Sequence, residues 1–351
     1  MGKELFKYDQ PFTLENGAVL PEIDIAYHTY GKLNEDKSNV IWVCHALTAN
    51  SDVLDWWQGL FGDQDLFNPE DHFIICANNL GSCYGTTGPL SINPETGKAW
   101  FSDFPTITIR DMANALELLK KELKIEKIHT VIGSSQGGQI AQEWAIMFPG
   151  NTNNLILIAT NCVHSSWGIA FNESQRMAIK ADPSYGENTD EGGAAGLQVA
   201  RSIALLSYRN YATYDVSQRE RRKKTGYKAA VDYQQYQGEK LVKRFNAYSY
   251  VRLSEAMDSH DVCRNRCKNH EAGLHKIKAN TLVIGVTSDI LFPIEEQQRI
   301  ADSIPKANFA TIDSLYGHDG FLIETEQLTK LIRTFYKNTP GIKNLFSLIK
   351  A

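Results

Sequence analysis

Short runs of apolar and β-branched residues recur along the chain, separated by stretches with the periodicity of helices. The runs cover residues 40–44, 73–77, 128–132, 155–159 and 281–286. Between the second and third runs, apolar side chains recur at helical spacing and predict an amphipathic helix over residues 110–123. Strands that alternate with helices are typical of a mostly parallel sheet with helices on both faces. The pattern therefore predicts a doubly wound α/β fold.

The strand pattern stops near residue 160 and returns at residue 281. The sequence between is helical in pattern, polar and rich in tyrosine, and we interpret residues 165–275 as an insertion. Because open α/β sheets bind ligands at the carboxyl ends of their strands, we expect the insertion to cover that edge as a lid. The predicted organisation is a core in two parts, residues 1–164 and 276–351, interrupted by the helical lid. Within the second part, residues 340–351 are expected to form a short helix.

Composition narrows the class of protein. The chain has 351 residues, of which 42% are hydrophobic and 22% charged, as in ordinary globular enzymes. Its 36 basic and 41 acidic residues give a formal charge of −5. This charge argues against nucleic-acid binding, which depends on lysine and arginine to neutralise phosphates. The longest basic run, residues 219–224, is interrupted by Glu220 and is interpreted as a solvated helix face.

Cysteine content and hydropathy indicate where the protein works. Six cysteines and the lack of an apolar leader favour the reducing cytoplasm. No apolar stretch approaches the roughly 20 residues needed to cross a bilayer, so we expect no membrane span. A cluster of histidine and cysteine could in principle bind zinc, but its spacing differs from that of zinc fingers and ribbons. No metal site is therefore predicted at its members, His260, Cys263, Cys267 and His270.

The clearest chemical motif is G-x-S-x-G at residues 133–137, which directly follows the run 128–132 and precedes a predicted helix. In such a turn the glycines allow close approach of the backbone, and the central serine is exposed at the helix N-terminus. There the amide of Gln136 and the helix dipole can stabilise an oxyanion. The alternative is a glycine-rich turn without chemistry. The strand and helix on either side favour Ser135 as a nucleophile.

A serine nucleophile needs a histidine base and a carboxylate that orients it, and in this fold the chain order is serine, acid, histidine. Asp289 follows the run 281–286 by three residues. Its alternative role is to cap the helix that begins near Pro293. Among the histidines near the returning sheet, His318 lies in a glycine-bracketed loop; the others are His260, His270 and His275. We therefore predict a triad of Ser135, Asp289 and His318.

A second oxyanion donor is expected in the loop after an early strand. The run 40–44 leads into the sequence HALT at residues 45–48, which would present the amide of Leu47. We interpret His45 as a structural residue that hydrogen-bonds this loop rather than as a catalytic one.

Several motifs occur in an order that points to one family. They include HALT at 45–48, NLGSCYGTTGP at 79–89, FPTITIRD at 104–111 and YGHD at 316–319, together with the motif around Ser135. With these motifs the chain resembles, almost from end to end, the homoserine O-acyltransferase family of the α/β-hydrolase fold. The resemblance implies transfer of an acyl group from acyl-coenzyme A to the hydroxyl of L-homoserine in methionine biosynthesis. It implies a co-substrate but no permanently bound cofactor.

The same resemblance places residue roles on this chain. It assigns nucleophile, acid and base to Ser135, Asp289 and His318, and substrate binding to Arg201 and Asp319. A zwitterionic amino acid needs a cation for its carboxylate and an anion for its ammonium group. The nearby Arg209 is the alternative for the cation. We also expect a homodimer assembled through the helical lid.

Two departures from the family pattern bear on the acyl donor. Many acetyl-transferring relatives have Gly-Gly-Cys where this chain has Gly81-Ser82-Cys83, and an apolar residue at the position of Gln136. Gly-Ser-Cys also occurs in relatives that use succinyl-coenzyme A, and a polar Gln136 beside the acyl carbonyl could alter the acyl pocket. Acetyl-coenzyme A is the expected donor, with succinyl-coenzyme A as donor or serine as acceptor left open. A plain esterase is the alternative from another class, because the triad alone does not exclude it.

Overall fold

The computed structural model describes residues 2–219 and 229–339. Its strands are β1 Glu4–Tyr8, β2 Phe12–Thr13, β3 Val19–Leu20, β4 Ile23–Tyr30, β5 Val40–Cys44, β6 Phe73–Ala77, β7 Ile92–Asn93, β8 Lys98–Ala99, β9 Ile128–Ser134, β10 Thr152–Ile158, β11 Asn280–Val286 and β12 Ala307–Ile312. Its α-helices are α1 Val53–Trp56, α2 Ile109–Glu122, α3 Gln136–Met147, α4 Ser166–Lys180, α5 Ala194–Tyr208, α6 Tyr211–Ser217, α7 Ala229–Val242, α8 Ala247–Asp258, α9 His270–Leu274, α10 Ile294–Ser303, α11 Gly320–Ile323 and α12 Thr325–Asn338. The basic run at 219–224, apart from Arg219, and the tail at 340–351 lie outside the described residues.

The central sheet has eight strands in the order β1-β4-β6-β5-β9-β10-β11-β12. Strands β6, β5, β9, β10, β11 and β12 pair in parallel, and β4 and β1 continue the sheet in antiparallel pairing at one edge. The chain passes from β5 to β6 on one side and then to β9 on the other side of β5. Loops at such a switch point leave a crevice at the carboxyl ends of the strands, where open α/β sheets bind ligands.

The strands bury side chains on both faces. Along β5, Val40, Trp42 and Cys44 contribute to one apolar cluster, whereas Ile41 and Val43 contribute to a second. Successive side chains of a strand point to opposite faces, and a parallel sheet covered on both sides therefore has continuous apolar runs. This is why the predicted strands at 40–44 and 73–77 coincide with β5 and β6.

Helices α4 to α9 lie in the chain between β10 and β11. Helix α4 packs on α5 and α8, and α5 packs on α7, so these helices contact one another as a layer. The division of the chain at residues 164 and 275 remains a prediction. None of the helices in the described ranges is long and apolar enough to span a membrane.

Because three histidines are buried, we expect the folded protein to lose stability in mild acid. Burial lowers the pKa of His45, His129 and His164, each to about 4. An unfolded histidine has a pKa of about 6.5, so the unfolded chain takes up protons first as the pH falls. For each histidine, we expect the free energy of unfolding to decrease by on the order of 1–2 kcal/mol as the pH falls from 6.5 to 5. The midpoints of urea unfolding at pH 7 and pH 5 measure this loss of stability. The difference between the two midpoints should be smaller in His129→Gln than in the wild type. Equal midpoints for the wild type at both pH values would contradict the prediction.

Candidate active site

Ser135 lies in a strained turn between β9 and α3. Its backbone has φ 55° and ψ −126°, a region that side chains other than glycine rarely adopt. The Ser135 amide donates to the Ile158 carbonyl at 3.0 Å, and the Thr160 hydroxyl donates to the Ser135 carbonyl at 2.8 Å. The end of β10 therefore holds the turn in this conformation.

The two glycines of the motif allow contacts that a side chain would block. A Cβ atom on Gly133 would lie 2.2 Å from the Gly137 carbonyl oxygen. A Cβ atom on Gly137 would lie 2.0 Å from the Cys44 carbonyl oxygen. The turn with Ser135 thus packs directly against the end of β5, and the loop that follows β5 lies beside the serine.

Asp289 and His318 form a buried pair. The Nδ1 atom of His318 lies 2.7 Å from Oδ2 of Asp289, and neither side chain is more than 4% exposed. The other oxygen, Oδ1, accepts the amides of Leu291 and Phe292 at 2.8 and 2.9 Å. Asp289 does not cap α10, whose N-cap is Pro293 without a side-chain cap. Its Oδ1 instead holds the loop before α10, and its Oδ2 faces the imidazole.

Aromatic rings hold the His318 imidazole in place. Phe292 stacks on it with centroids 5.0 Å apart, and Phe321 contacts it edge-on at 5.4 Å. A neutral imidazole that donates from Nδ1 leaves Nε2 free to accept a proton. His318 and Ser135 line the same cavity. The structure therefore brings the predicted nucleophile and its predicted base to one cavity.

The other candidate histidines have different partners. The Nε2 atom of His260 lies 3.1 Å from the buried Asn161 carbonyl oxygen, and His270 lies 3.2 Å from Asp261. Neither they nor His275 line the cavity with Ser135. Within residues 2–219 and 229–339, no three histidine, cysteine or acidic side chains are grouped so that they could hold a metal ion.

The cavity has a volume of about 400 Å³, within the size range typical of small-molecule sites. The core and the inserted helices both contribute to its wall. The core residues include Leu47, Ser135, His318, Asp319 and Phe321, and the residues from α5, α7 and the segment that follows α7 are Arg201, Tyr208, Gln237, Lys240, Leu241 and Arg244. A ligand in this cavity would therefore contact the inserted helices and the candidate triad at once.

The two predicted oxyanion donors come from the loops after β5 and β9. Among the described residues, no hydrogen-bond acceptor contacts the amide of Leu47 or of Gln136. Neither amide is therefore committed to a partner within these residues, although Gln136 is fully buried and absent from the cavity wall. Leu47 lines the cavity beside Ser135, and the packing of Gly137 on Cys44 brings the two loops together.

The two sequence departures do not reach the cavity wall. The Gln136 side chain is fully buried, and its Nε2 donates to the Leu253 carbonyl of α8 at 2.9 Å. Ser82 is 2% exposed and is also absent from the wall. The expectation that the Gln136 side chain lies beside the acyl group is therefore corrected: it ties the turn to α8 instead.

Arg201 and Arg209 occupy different environments. Arg201 lines the cavity, and its guanidinium lies over the Tyr208 ring at 5.4 Å. Arg209 is absent from that wall, and its NH2 lies 3.1 Å from Oδ2 of Asp319. Of the two alternatives, Arg201 is the one that lines the cavity. The pairing of Arg209 with Asp319, which sequence reasoning did not predict, fixes the anionic side chain on the same wall.

Comparison with known proteins identifies the family. A sequence model of the alpha/beta hydrolase fold matches residues 39–325. A homoserine O-acetyltransferase of Cyclobacterium marinum is 47% identical over 341 residues, which cover 97% of each chain. A homoserine O-acetyltransferase of Chloroherpeton thalassium is 45% identical, covering 95% of this chain and 89% of that one. This chain belongs to the homoserine O-acetyltransferase family.

Solved structures place the family in its wider fold. A homoserine O-acetyltransferase of Bacillus anthracis superposes with a TM-score of 0.87 at 28% identity, covering 95% of this chain and 97% of that one. Esterase E22 superposes with a TM-score of 0.86 at 24% identity, covering 95% and 99%, and this likeness shows the fold alone. The predicted α/β-hydrolase fold and the family resemblance are confirmed. Since a transferase and an esterase share the scaffold, the residues around the cavity must distinguish the two activities.

Proposed function

We propose that this homoserine O-acetyltransferase family member moves an acetyl group from acetyl-coenzyme A to the hydroxyl of L-homoserine. The observation that carries the proposal is the position of Arg201 and Asp319 on the cavity wall that also holds Ser135 and His318. A plain esterase needs no paired cation and anion beside its nucleophile. An enzyme for a zwitterionic amino acid needs both, within reach of the acylated serine.

In the first half-reaction, His318 takes the proton of the Ser135 hydroxyl through Nε2. The serine oxygen then attacks the thioester carbonyl, and the amides of Leu47 and Gln136 stabilise the negative charge on the carbonyl oxygen. The carbon–sulfur bond breaks, and His318 returns the proton to the leaving thiolate. The products are free coenzyme A and an ester of Ser135.

In the second half-reaction, homoserine occupies the space that the thiol has left. His318 takes the proton of the homoserine hydroxyl, whose oxygen attacks the ester carbonyl. Collapse of the tetrahedral intermediate breaks its bond to the Ser135 oxygen, which recovers the proton from His318. Asp289 stabilises the imidazolium in both half-reactions. The inserted helices α5 and α7 cover the cavity and disfavour water as the competing acceptor.

Basic side chains at the cavity fit the charge of the donor. Lys240 and Arg244 line the cavity and are exposed. Arg244 also donates from NH1 to the Tyr84 hydroxyl at 2.8 Å, which leaves other guanidinium donors open. Coenzyme A carries several phosphate charges, and exposed cations at the entrance would attract them. We propose this entrance as the route of the co-substrate.

Replacing Arg201 with alanine should impair the second half-reaction alone. A cation reserved for the homoserine carboxylate makes no contact needed to acylate Ser135, so thiol release in the first turnover should persist. Loss of this charge-assisted hydrogen bond should cost about 2–4 kcal/mol, or about 30-fold to 1,000-fold in kcat/KM for homoserine. Pre-steady-state thiol release and steady-state transfer, measured on the same variant, separate the two effects.

The matched control is Arg219→Ala, which removes an exposed arginine that pairs with Asp215 and does not line the cavity. It should leave both half-reactions unchanged. Arg209→Ala is not a neutral comparison, because it removes the partner of Asp319. An acceptor defect in Arg209→Ala without one in Arg201→Ala would show that Arg201 does not bind the homoserine carboxylate.

The proposed activity is tested by product analysis with each donor and acceptor. Acetyl- and succinyl-coenzyme A are each supplied with homoserine, with serine or with neither, and thiol, free acid and acylated amino acid are quantified. The proposal predicts O-acetylhomoserine as the main product. Succinylated product, acylated serine or predominantly free acetate would favour the succinyltransferase, serine and esterase alternatives respectively.

We also propose that the protein is a homodimer and works in the cytoplasm, and the inserted helices support the dimer. Large apolar side chains on α4, α5 and α6 are exposed; they are Trp167, Met177, Val199, Leu206, Tyr211 and Val216. Exposed apolar side chains collected on neighbouring helices favour an association surface, and a second copy of the lid would cover them. Light scattering should give twice the chain mass of 39.4 kDa. A monomer at micromolar concentration would contradict the proposed dimer.

A further inference from the structure

His45 lies directly after β5 and is fully buried, with a hydrogen bond at each ring nitrogen. Its Nδ1 is 2.8 Å from the carbonyl oxygen of Ala46, the next residue. Its Nε2 accepts the backbone amide of Asn79 at 3.0 Å. His45 does not line the cavity, so it has no contact with a ligand there.

These two partners fix one tautomer of the ring. A backbone amide can only donate, so Nε2 must carry the lone pair and Nδ1 must carry the proton. The Nδ1 proton is then donated to the Ala46 carbonyl. A 3.5 Å contact between Nδ1 and Nδ2 of Asn79 joins two N–H groups in this tautomer and is not a hydrogen bond. Burial lowers the pKa of His45 to about 4, which keeps the ring neutral near pH 7.

The carbonyl that His45 holds belongs to the peptide unit whose amide is that of Leu47. A trans peptide is planar, with its C=O and N–H pointing in opposite directions. The described chain contains no cis peptide bond. A hydrogen bond that fixes the Ala46 carbonyl therefore also fixes the direction of the Leu47 N–H.

We infer that His45 is a positioning residue for the oxyanion site: its Nδ1–H bond to the Ala46 carbonyl aims the Leu47 amide at the acyl oxygen on Ser135. This rests on the proposed function, in which the Leu47 amide stabilises the oxyanion. A preorganised donor costs no reorganisation when charge develops, so a freely rotating peptide would stabilise the transition state less. His45 thus acts on the acylation rate without touching the substrate.

Asn79, whose amide donates to His45, also contacts Gln136, the residue that carries the second predicted oxyanion donor. Nδ2 of Asn79 lies 3.4 Å from Oε1 of Gln136, whose Nε2 donates to the Leu253 carbonyl. A Cβ atom on Gly137 would lie 2.9 Å from the His45 carbonyl oxygen. The residues that present the two oxyanion amides are therefore braced against each other through His45 and Asn79.

Two substitutions separate positioning from simple structural support. In His45→Asn the amide nitrogen takes the place of Nδ1 and can still donate to the Ala46 carbonyl. In His45→Gln the amide oxygen takes the place of Nε2 and can still accept from Asn79, but the bond to Ala46 is lost. Each variant keeps one of two buried hydrogen bonds, so the two should lose comparable stability in urea unfolding.

The probe is p-nitrophenyl acetate, which acylates the serine without requiring homoserine or coenzyme A. We expect His45→Gln to lower the acylation rate constant by about 100-fold with little change in apparent KM, as when one oxyanion donor is lost. His45→Asn should stay within about 10-fold of wild type. Equal losses in both variants, a larger loss in His45→Asn, or near-normal rates in both would overturn the inference.

A measurement on the unsubstituted protein guards against misfolded variants. Nitrogen NMR of histidine-labelled protein should show His45 neutral, with its proton on Nδ1, at pH 7. A proton on Nε2 would overturn the inference whatever the variants do. The ester probe also separates this inference from the proposed function. Failure to form O-acetylhomoserine would refute the function. A faster acylation by His45→Asn than by His45→Gln would still report on the oxyanion site.

Discussion

Replacing Ser135 with alanine should abolish thiol release from acetyl-coenzyme A while leaving the fold intact. In the proposed mechanism Ser135 receives the acyl group, and the base His318 cannot replace a missing nucleophile. When a triad acts as a unit, loss of the nucleophile lowers kcat by about 10⁶-fold. The turn itself should persist, because its backbone is held by Ile158 and Thr160 rather than by the serine hydroxyl.

The chain offers a matched control one residue away. Ser134 is fully buried at the end of β9, and its hydroxyl has no hydrogen-bond partner within the described residues. Ser134→Ala should therefore keep both the activity and the urea midpoint of the wild type. Thiol release and circular dichroism are measured on both variants. Near-normal turnover in Ser135→Ala would rule out the covalent mechanism.

Asp289→Asn should produce the second largest loss, about 10⁴-fold in kcat. An asparagine cannot stabilise the imidazolium, and its amide favours the wrong tautomer of His318. The fold should survive, since the asparagine oxygen can still accept the amides of Leu291 and Phe292. Steady-state kinetics with saturating substrates measure the loss.

Asp261→Asn is the comparison for this variant. Asp261 also pairs with a histidine, His270, but its side chain is 34% exposed and the pair does not line the cavity. We expect Asp261→Asn to change kcat by less than about 3-fold, as for an exposed ion pair. If Asp261→Asn were the more damaging change, the acid of the triad would have been assigned to the wrong carboxylate.

The parts of the fold with strong local signals could be predicted from sequence. β5 and β6 are apolar throughout because both of their faces are covered, and helix α2 differs from the prediction by one residue at each end. Strand β12 lies at the sheet edge and is at least partly exposed at all residues but the last, so it leaves no apolar run to detect. Strand β4 is also absent from the predicted strands, although its alternation of apolar and polar residues is a strand signal.

The residues of the candidate site could likewise be predicted only where the sequence signal is local. Ser135 could be located because its chemistry depends on adjacent glycines and on the strand and helix beside them. Asp289 and His318 required chain order as well as local context. The pairing of Arg209 with Asp319 and the burial of the Gln136 side chain against Leu253 depend on contacts between segments distant in sequence. No local pattern encodes these contacts, and so only the structure shows that Arg201 lines the cavity whereas Arg209 pairs with Asp319.

The formation of an acyl-enzyme on Ser135 is tested most directly by pre-steady-state thiol release from acetyl-coenzyme A without homoserine, followed by steady-state kinetics with both substrates varied. Separate half-reactions predict a burst of one thiol per active site, slow hydrolysis afterwards, and parallel double-reciprocal lines when homoserine is present. Intersecting lines without a burst would contradict the acyl-enzyme and would indicate direct transfer in a ternary complex.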